Sequence, residues 1–236
     1  AMDKSKIKNL IFTSSVAIYG LNKSNPSEND RKNPFNHYGK SKLEAEKLIK
    51  KWYENDPENK SVTIIRPTVV FGERNRGNVY NLLNQIYSGK FLMIGSGNNK
   101  KSIAYVKNVV SLIKNRLENN ITGYHVFNYT DKPDFSMNQL VEMVENELSI
   151  KTPNIKVPFF IGILVGYIFD ILSFLFNKKF IISSIRIKKF CATTQFNSDK
   201  IHSKFKAPYT IKTGLKRTLK SEFTDSKNDE FLFFSE

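Results

Sequence analysis

The sequence holds a single cysteine, Cys191, among 236 residues, so no internal disulfide can form and a reducing compartment suits the chain. A lone cysteine in apolar surroundings reads as a small core residue rather than a nucleophile. Histidine is nearly as scarce. Three isolated histidines and one cysteine give no metal-ligand spacing, and no metal site is expected. Glycine numbers only 11, and no Gly-x-x-Gly-x-x-Gly occurs anywhere. Gly95-Ser96-Gly97 is too short for a phosphate cradle, is soon followed by lysines, and reads as a loop. Acid is in deficit: 22 Asp and Glu face 37 Lys and Arg, for a formal net charge of +15. Such a field favours anionic partners, among them nucleotide diphosphates and membranes. The lysines are scattered among many asparagines, as a solvated surface would also have them. No nucleic-acid motif accompanies them, and no nucleic-acid partner is expected. Internal repeats and a visible signal peptide are missing too. The chain starts at Ala1 on what reads as the last turn of a helix.

What is present begins with Ile7-Lys8-Asn9-Leu10-Ile11-Phe12, a short apolar run that reads as a buried strand. It delivers Thr13-Ser14-Ser15 and then Val16-Ala17-Ile18-Tyr19-Gly20. Hydroxyls at the carboxyl end of a parallel strand sit where open α/β sheets bind ligands. After a polar loop, Leu21 to Asn36, Tyr38-Gly39-Lys40-Ser41-Lys42 opens a helix to about Tyr53. Residues four apart share a helix face, so the Tyr38 hydroxyl and the Lys42 ammonium can point into one space. A free phenol has a pKa of about 10, too high for a base at neutral pH unless a cation favours the phenolate. Ser15 can hydrogen-bond the same substrate hydroxyl. Tyr-x-x-x-Lys alone also describes many surface pairs; its coupling to the strand-end serines makes it a candidate site.

Val62 to Arg66 is β-branched and apolar, a buried parallel strand ended by Arg66-Pro67. Arg74 and Arg76 precede a helix over about Val79 to Ser88, and by themselves they read as a solvated loop. Phe91 to Gly97 reads as a strand and turn, Ala104 to Leu117 as an apolar-periodic helix, and Tyr124 to Asn128 as a strand whose His125 is structural. Phe135-Ser136-Met137-Asn138 caps an amphipathic helix, Gln139 to Leu148.

These residues together resemble the C-terminal two thirds of an extended short-chain dehydrogenase/reductase, of the NAD-dependent epimerase/dehydratase family typified by UDP-glucose 4-epimerase. The resemblance runs from Ile7 to about Phe223. It implies an α/β fold, the C-terminal part of a Rossmann-type doubly wound parallel sheet with a smaller, mostly helical substrate lobe. It assigns 1–72 and 102–130 to the remainder of the NAD-binding domain, 73–101 and 131–223 to the substrate lobe, and 224–236 to a loosely held tail. By the same resemblance Ser15, Tyr38 and Lys42 form the catalytic triad. Thr13, Ser14, Tyr38, Lys42 and Pro67 would hold NAD, with Lys42 on the nicotinamide ribose and Ile64 to Gly72 flanking the nicotinamide. Ser15, Asn78, Val79 and Lys101 would contact a nucleotide-sugar substrate, Lys101 standing where the family places a diphosphate arginine. Lysine there offers a point charge without the bidentate fork. Phe196 to Ile201 resembles the family's Asp-x-Ser-Lys-Ala turn, and Tyr209 to Leu215 the start of its last helix. The family's glycine-rich pyrophosphate motif does not occur, so these 236 residues are expected to hold NAD poorly by themselves. A homodimer is the assembly the resemblance implies.

Dehydratases of this family carry an Asp-Glu pair directly after the active-site hydroxyl, and Val16 and Ala17 stand there instead. The expected activity is therefore NAD-dependent epimerisation, at C4 of a UDP-sugar, by tyrosine-assisted hydride transfer through a keto sugar. A dehydrogenase or reductase of a nucleotide sugar or steroid-like substrate stays open. So does a non-catalytic remnant that binds membrane or protein. Val157 to Phe176 bears on the choice: it is almost wholly apolar, with Asp170 its one acid, and long enough for a bilayer. Gly162, Gly166, Asp170, Ser173 and Asn177 recur every three or four residues as a small and polar stripe. Lysines and Arg186 follow. Peripheral membrane contact through 157–189, a buried or oligomerising helix, and a true span are the three readings, and the expected location is cytoplasmic, with or without membrane association.

Overall fold

The structure, a computed structural model, describes residues 6–225 apart from 22, 120, 154, 179 and 181. The helical turn expected at the start of the chain and nearly all of the 224–236 tail lie outside the described residues.

Strand β1 (Asn9–Thr13) leads through a 3-10 turn, Val16–Tyr19, to helix α1 (His37–Glu54) and then strand β2 (Ser61–Pro67). Val62, Ile64 and Ile65 are all buried in β2, the mark of a strand covered on both faces. On one face Val62 and Ile64 meet Ile49 and Trp52 of α1. Ile65 on the other packs with Val109 and Leu112 of a later helix. Fully burying one such side chain contributes about 1.5–3 kcal/mol, so the alternation fixes the register of β2. Pro67 does not break the strand early but closes it, and the chain resumes as β3 (Val69–Phe71).

Next come α2 (Asn78–Tyr87), β4 (Met93–Ile94), β5 (Lys100–Lys101), β6 (Ile103–Tyr105) and α3 (Val106–Glu118). The helix expected from Ala104 thus starts two residues late. Ile103, Ala104 and Tyr105 are buried and pair in parallel with Val69, Val70 and Phe71, and that ladder holds them extended. Strand β7 (Gly123–Tyr129) then lies parallel to β2, giving the order β1-β2-β7, with Thr13, Ile65 and Phe127 in register. After β8 (Phe135–Ser136), helix α4 (Met137–Leu148) starts on a reciprocal capping box: Ser136 accepts from the Gln139 N–H, and the Gln139 side chain accepts from the Ser136 N–H.

The rest of the chain comprises β9 (Lys156–Val157), α5 (Phe159–Phe176), α6 (Ser184–Cys191), α7 (Asp199–His202) and α8 (Ile211–Leu219). A second core forms between α2, α4 and α8, where Leu83, Ile86, Val144, Leu215 and Tyr105 are buried together. Asn108 ties α3 to the entry of α8. Its side chain donates to the Tyr209 carbonyl at 2.8 Å and accepts from the Tyr209 N–H at 3.1 Å. His125 is satisfied locally by the Thr122 carbonyl at 2.7 Å.

Candidate active site

The carboxyl ends of β1, β2 and β7 set the site. Ser14 donates its N–H to the Ile65 carbonyl at 2.7 Å, and Thr68 donates its own to Tyr129 at 2.9 Å, which laces the three strand ends together. Ser15 follows in extended backbone and caps the 3-10 turn, its Oγ accepting from the Ala17 N–H at 3.2 Å. That turn buries Val16, Ile18 and Tyr19. The sequence reading had only motif residues here and missed the turn.

Helix α1 reaches this place because Asn36 caps it, accepting from the Gly39 N–H at 2.8 Å. Gly39 then rests on the 3-10 turn so closely that a Cβ would sit 2.6 Å from the Ala17 carbonyl oxygen. The contact brings the first turn of α1, with Tyr38, against the segment that begins at Ser15. Tyr38 is 53% exposed and opens to solvent. One turn on, Lys42 donates to the Thr13 carbonyl at 3.0 Å, its Nζ 5.7 Å from the centre of the Tyr38 ring. Thr13, Ser14, Ser15, Tyr38, Lys42 and Pro67 therefore lie toward the carboxyl end of the sheet.

The remaining expected site residues lie elsewhere in the chain, on α2 and β5. Asn78 is exposed at the first turn of α2, whereas Val79 is buried in the second core. Lys101 donates to the Lys189 carbonyl at 2.9 Å and to Ala192 at 2.6 Å, at the carboxyl end of α6. Burial pushes its ammonium down to about 8, opposed by the charge that Cys191 would carry as a thiolate. Nearby, a cavity of about 380 Å³ is lined by Ile94, Ser96, Asn99, Phe159, Lys188 and Cys191. Arg76 is no solvated loop residue: it pairs with Glu222 at 2.9 Å and donates to the Tyr80 hydroxyl at 2.7 Å. Cys191 is half-buried with its Sγ 3.3 Å from the Ile94 carbonyl, and burial raises its thiol.

Beneath the strand ends lies a group the sequence reading passed over. Arg66 donates from Nε and one terminal nitrogen to both oxygens of Glu46, at 2.8 and 2.6 Å. Its other terminal nitrogen donates to the Tyr19 hydroxyl at 2.7 Å and the Glu28 carbonyl at 3.2 Å. Tyr19 in turn donates to Asn128 Oδ1 at 2.7 Å, and Glu28 accepts from the Asn128 N–H at 2.8 Å. Burial pushes the Tyr19 phenol up to about 12 against the pull of Arg66, so it stays a donor. The loop from Leu21 to Asn36 is thus folded inward at Glu28. Glu46 lies on α1 eight residues past Tyr38, and the pair pins the face that carries Tyr38 and Lys42 to β2.

NAD can be tested against these groups. Ser14 Oγ is buried with no hydrogen-bond partner. Lys42 carries three N–H donors, of which Thr13 takes one, and Tyr38 offers a hydroxyl. A donor set of hydroxyls and one ammonium fits the nicotinamide and ribose end of a dinucleotide. The pyrophosphate-cradling glycine motif is not among these 236 residues.

A parallel sheet with helices on both faces defines the Rossmann-type α/β class. The model of the NAD dependent epimerase/dehydratase family matches residues 1–129, and the chain belongs to that family of NAD-dependent enzymes. It is 59% identical, over all of its length and 72% of the relative's, to N-acetyl-alpha-D-glucosaminyl-diphospho-ditrans,octacis-undecaprenol 4-epimerase of Escherichia coli O157:H7. It is 29% identical to UDP-glucose 4-epimerase of Vibrio cholerae, over 91% of this chain and 63% of that protein. Among solved structures, UDP-glucuronic acid 4-epimerase from Bacillus cereus in complex with NAD superposes with a TM-score of 0.67 at 18% identity, over 92% of this chain and 61% of that one. The chain thus spans a little over three fifths to about seven tenths of the length of these relatives.

Proposed function

We propose that the protein is a 4-epimerase of an N-acetylhexosamine held through a diphosphate, and that the diphosphate is carried by a polyprenol rather than by uridine. The observation that carries the chemistry is Lys42, fixed on the Thr13 carbonyl one helical turn from a solvent-open Tyr38. The relative at 59% identity supports the carrier. Such a carrier resides in a bilayer, so peripheral membrane contact through 157–189 belongs to the same reading.

Tyr38, as phenolate, takes the proton of the C4 hydroxyl while Ser15 hydrogen-bonds that oxygen. Lys42, with its Nζ 5.7 Å from the centre of the Tyr38 ring, attracts negative charge on that side chain. NAD, when bound, supplies the acceptor and later the donor of the C4 hydrogen and adds positive charge beside the phenol. The sugar becomes a 4-ketone, turns over, and regains hydrogen on the opposite face while Tyr38 returns the proton. No net oxidation results. Val16 is buried and Ala17 has no titratable group, so this pair cannot drive loss of water.

The test offers the native protein N-acetylglucosamine on a short-prenyl diphosphate or on UDP, labelled with deuterium at C4. The expected result is the galacto product with label retained, faster with the prenyl carrier, and loss of at least 100-fold in kcat in Tyr38→Phe. Net accumulation of NADH with a ketone product would instead make it a dehydrogenase.

A further inference from the structure

Helix α5 is apolar nearly all round, yet only Gly162 and Gly166 are buried in it. Those glycines, with Asp170, form the inner stripe. A Cβ at Gly162 would sit 2.7 Å from Ile94 Cγ2, and one at Gly166 2.8 Å from Ser184 Cα. Asp170 accepts from the Ser184 N–H at 3.3–3.4 Å, at the start of α6. The acid that would oppose insertion is therefore used inside the protein, on an N-terminal amide of a helix. Opposite the stripe, Phe160 (69% exposed), Leu164, Ile168, Ile171 and Leu175 (68%) follow at helical spacing, and Phe174 is 87% exposed. Ile182 and Ile185, before and within α6, are exposed as well.

We propose that this hairpin docks flat on an anionic lipid bilayer, α5 lying in the interface with Phe174 and Leu175 among the acyl chains. Charge selects the occupant. From residue 156 to 189 the sequence has six lysines and arginines and one acid, and that acid, Asp170, faces α6. A second copy seated on the same face would offer these cations no carboxylate from this segment, since Asp170 is turned inward. Lipid phosphates would attract them. Flat seating follows from attachment. Val157, two residues ahead of α5, is held in the β4–β9 ladder, and the inner stripe is packed on β4 and α6, so spanning would tear both away. An interfacial helix sinks only about 5–10 Å, and that depth leaves these contacts intact. The proposal deepens the epimerase reading, but vesicle binding is read without turnover.

The experiment floats the native protein with vesicles of phosphatidylcholine alone or with one quarter phosphatidylglycerol. Expected are retention on the anionic vesicles, weaker retention on the neutral ones, and release by 0.5 M salt or alkaline carbonate. Phe174→Glu with Leu175→Glu should lower retention at least tenfold with melting temperature and elution volume unchanged. Turnover of a water-soluble short-chain substrate should persist in that variant, which separates this proposal from the epimerase reading. The proposal is overturned by native protein that stays off anionic vesicles, by glutamate variants that still bind, by resistance to carbonate (a span), or by a dimer that the same variants dissociate.

Discussion

Replacing Glu46 by leucine should unfold the protein at a markedly lower temperature. The Arg66 and Glu46 side chains are 3% and 6% exposed and joined by two hydrogen bonds. Taking the carboxylate away leaves a guanidinium inside the protein with Tyr19 and the Glu28 carbonyl as its remaining partners. Breaking a buried pair from one side costs about 3–5 kcal/mol. For a domain of this size each kcal/mol moves the midpoint by about 2–4 °C, so a fall of roughly 6–20 °C is expected. Glu46→Leu with Arg66→Met tests the cause, because an apolar replacement of the whole pair is often neutral or better. Tyr19 would still donate to Asn128 in that variant. Thermal melts followed by circular dichroism, closed into a double-mutant cycle, measure the coupling. If the single change costs under about 1 kcal/mol, or the double variant melts no higher than the single, the charge pair is not what pins α1 to β2.

Other perturbations act nearer the ligands. Gly39→Ala should force α1 off the 3-10 turn, since a Cβ there would meet the Ala17 carbonyl at 2.6 Å; a loss of about 1–3 kcal/mol in stability and a lower kcat are expected from melts and initial rates. If Lys101 supplies charge to the diphosphate, KM should rise as pH passes about 8, where its ammonium deprotonates. Lys101→Arg should remove that break because a guanidinium stays charged. Ser136→Ala removes one half of the capping box on α4 and should cost about 1 kcal/mol, read by urea denaturation, with activity intact.

Much of this architecture was legible because it rests on local rules. The β-branched run at Val62 to Ile65, the Ser136 capping box and the four-residue step from Tyr38 to Lys42 each announce their structure within a few residues. The family resemblance supplied the fold, and the family model and the relatives bear it out. Where the sequence reading slipped, a distant partner decided. Ala104 and Tyr105 carry a helical apolar period, but Val70 and Phe71, more than thirty residues earlier, hold them in a strand. Lys101 gave no hint of its engagement with Lys189 and Ala192, because those carbonyls come from a helix end some ninety residues on.

The Arg66 network is a different kind of omission, since its signals were present. An arginine that ends a run of four apolar or β-branched buried residues has to find an acid, because an unpaired charge inside a protein is far costlier than its partner. Extending the face of α1 by one more step of four, from Tyr38 and Lys42, reaches Glu46, an acid on the side of the helix that the sheet covers. Neither residue makes sense alone: a buried glutamate on a helix and a buried arginine on the neighbouring strand each demand the other. The pairing also follows from the proposed chemistry. A phenol that must meet a substrate oxygen at hydrogen-bond distance needs a helix that cannot rotate, and apolar contacts alone resist rotation less sharply than a two-point ion pair. The feature that orients the reacting face thus lies one helical turn past the motif, on the same stripe of α1.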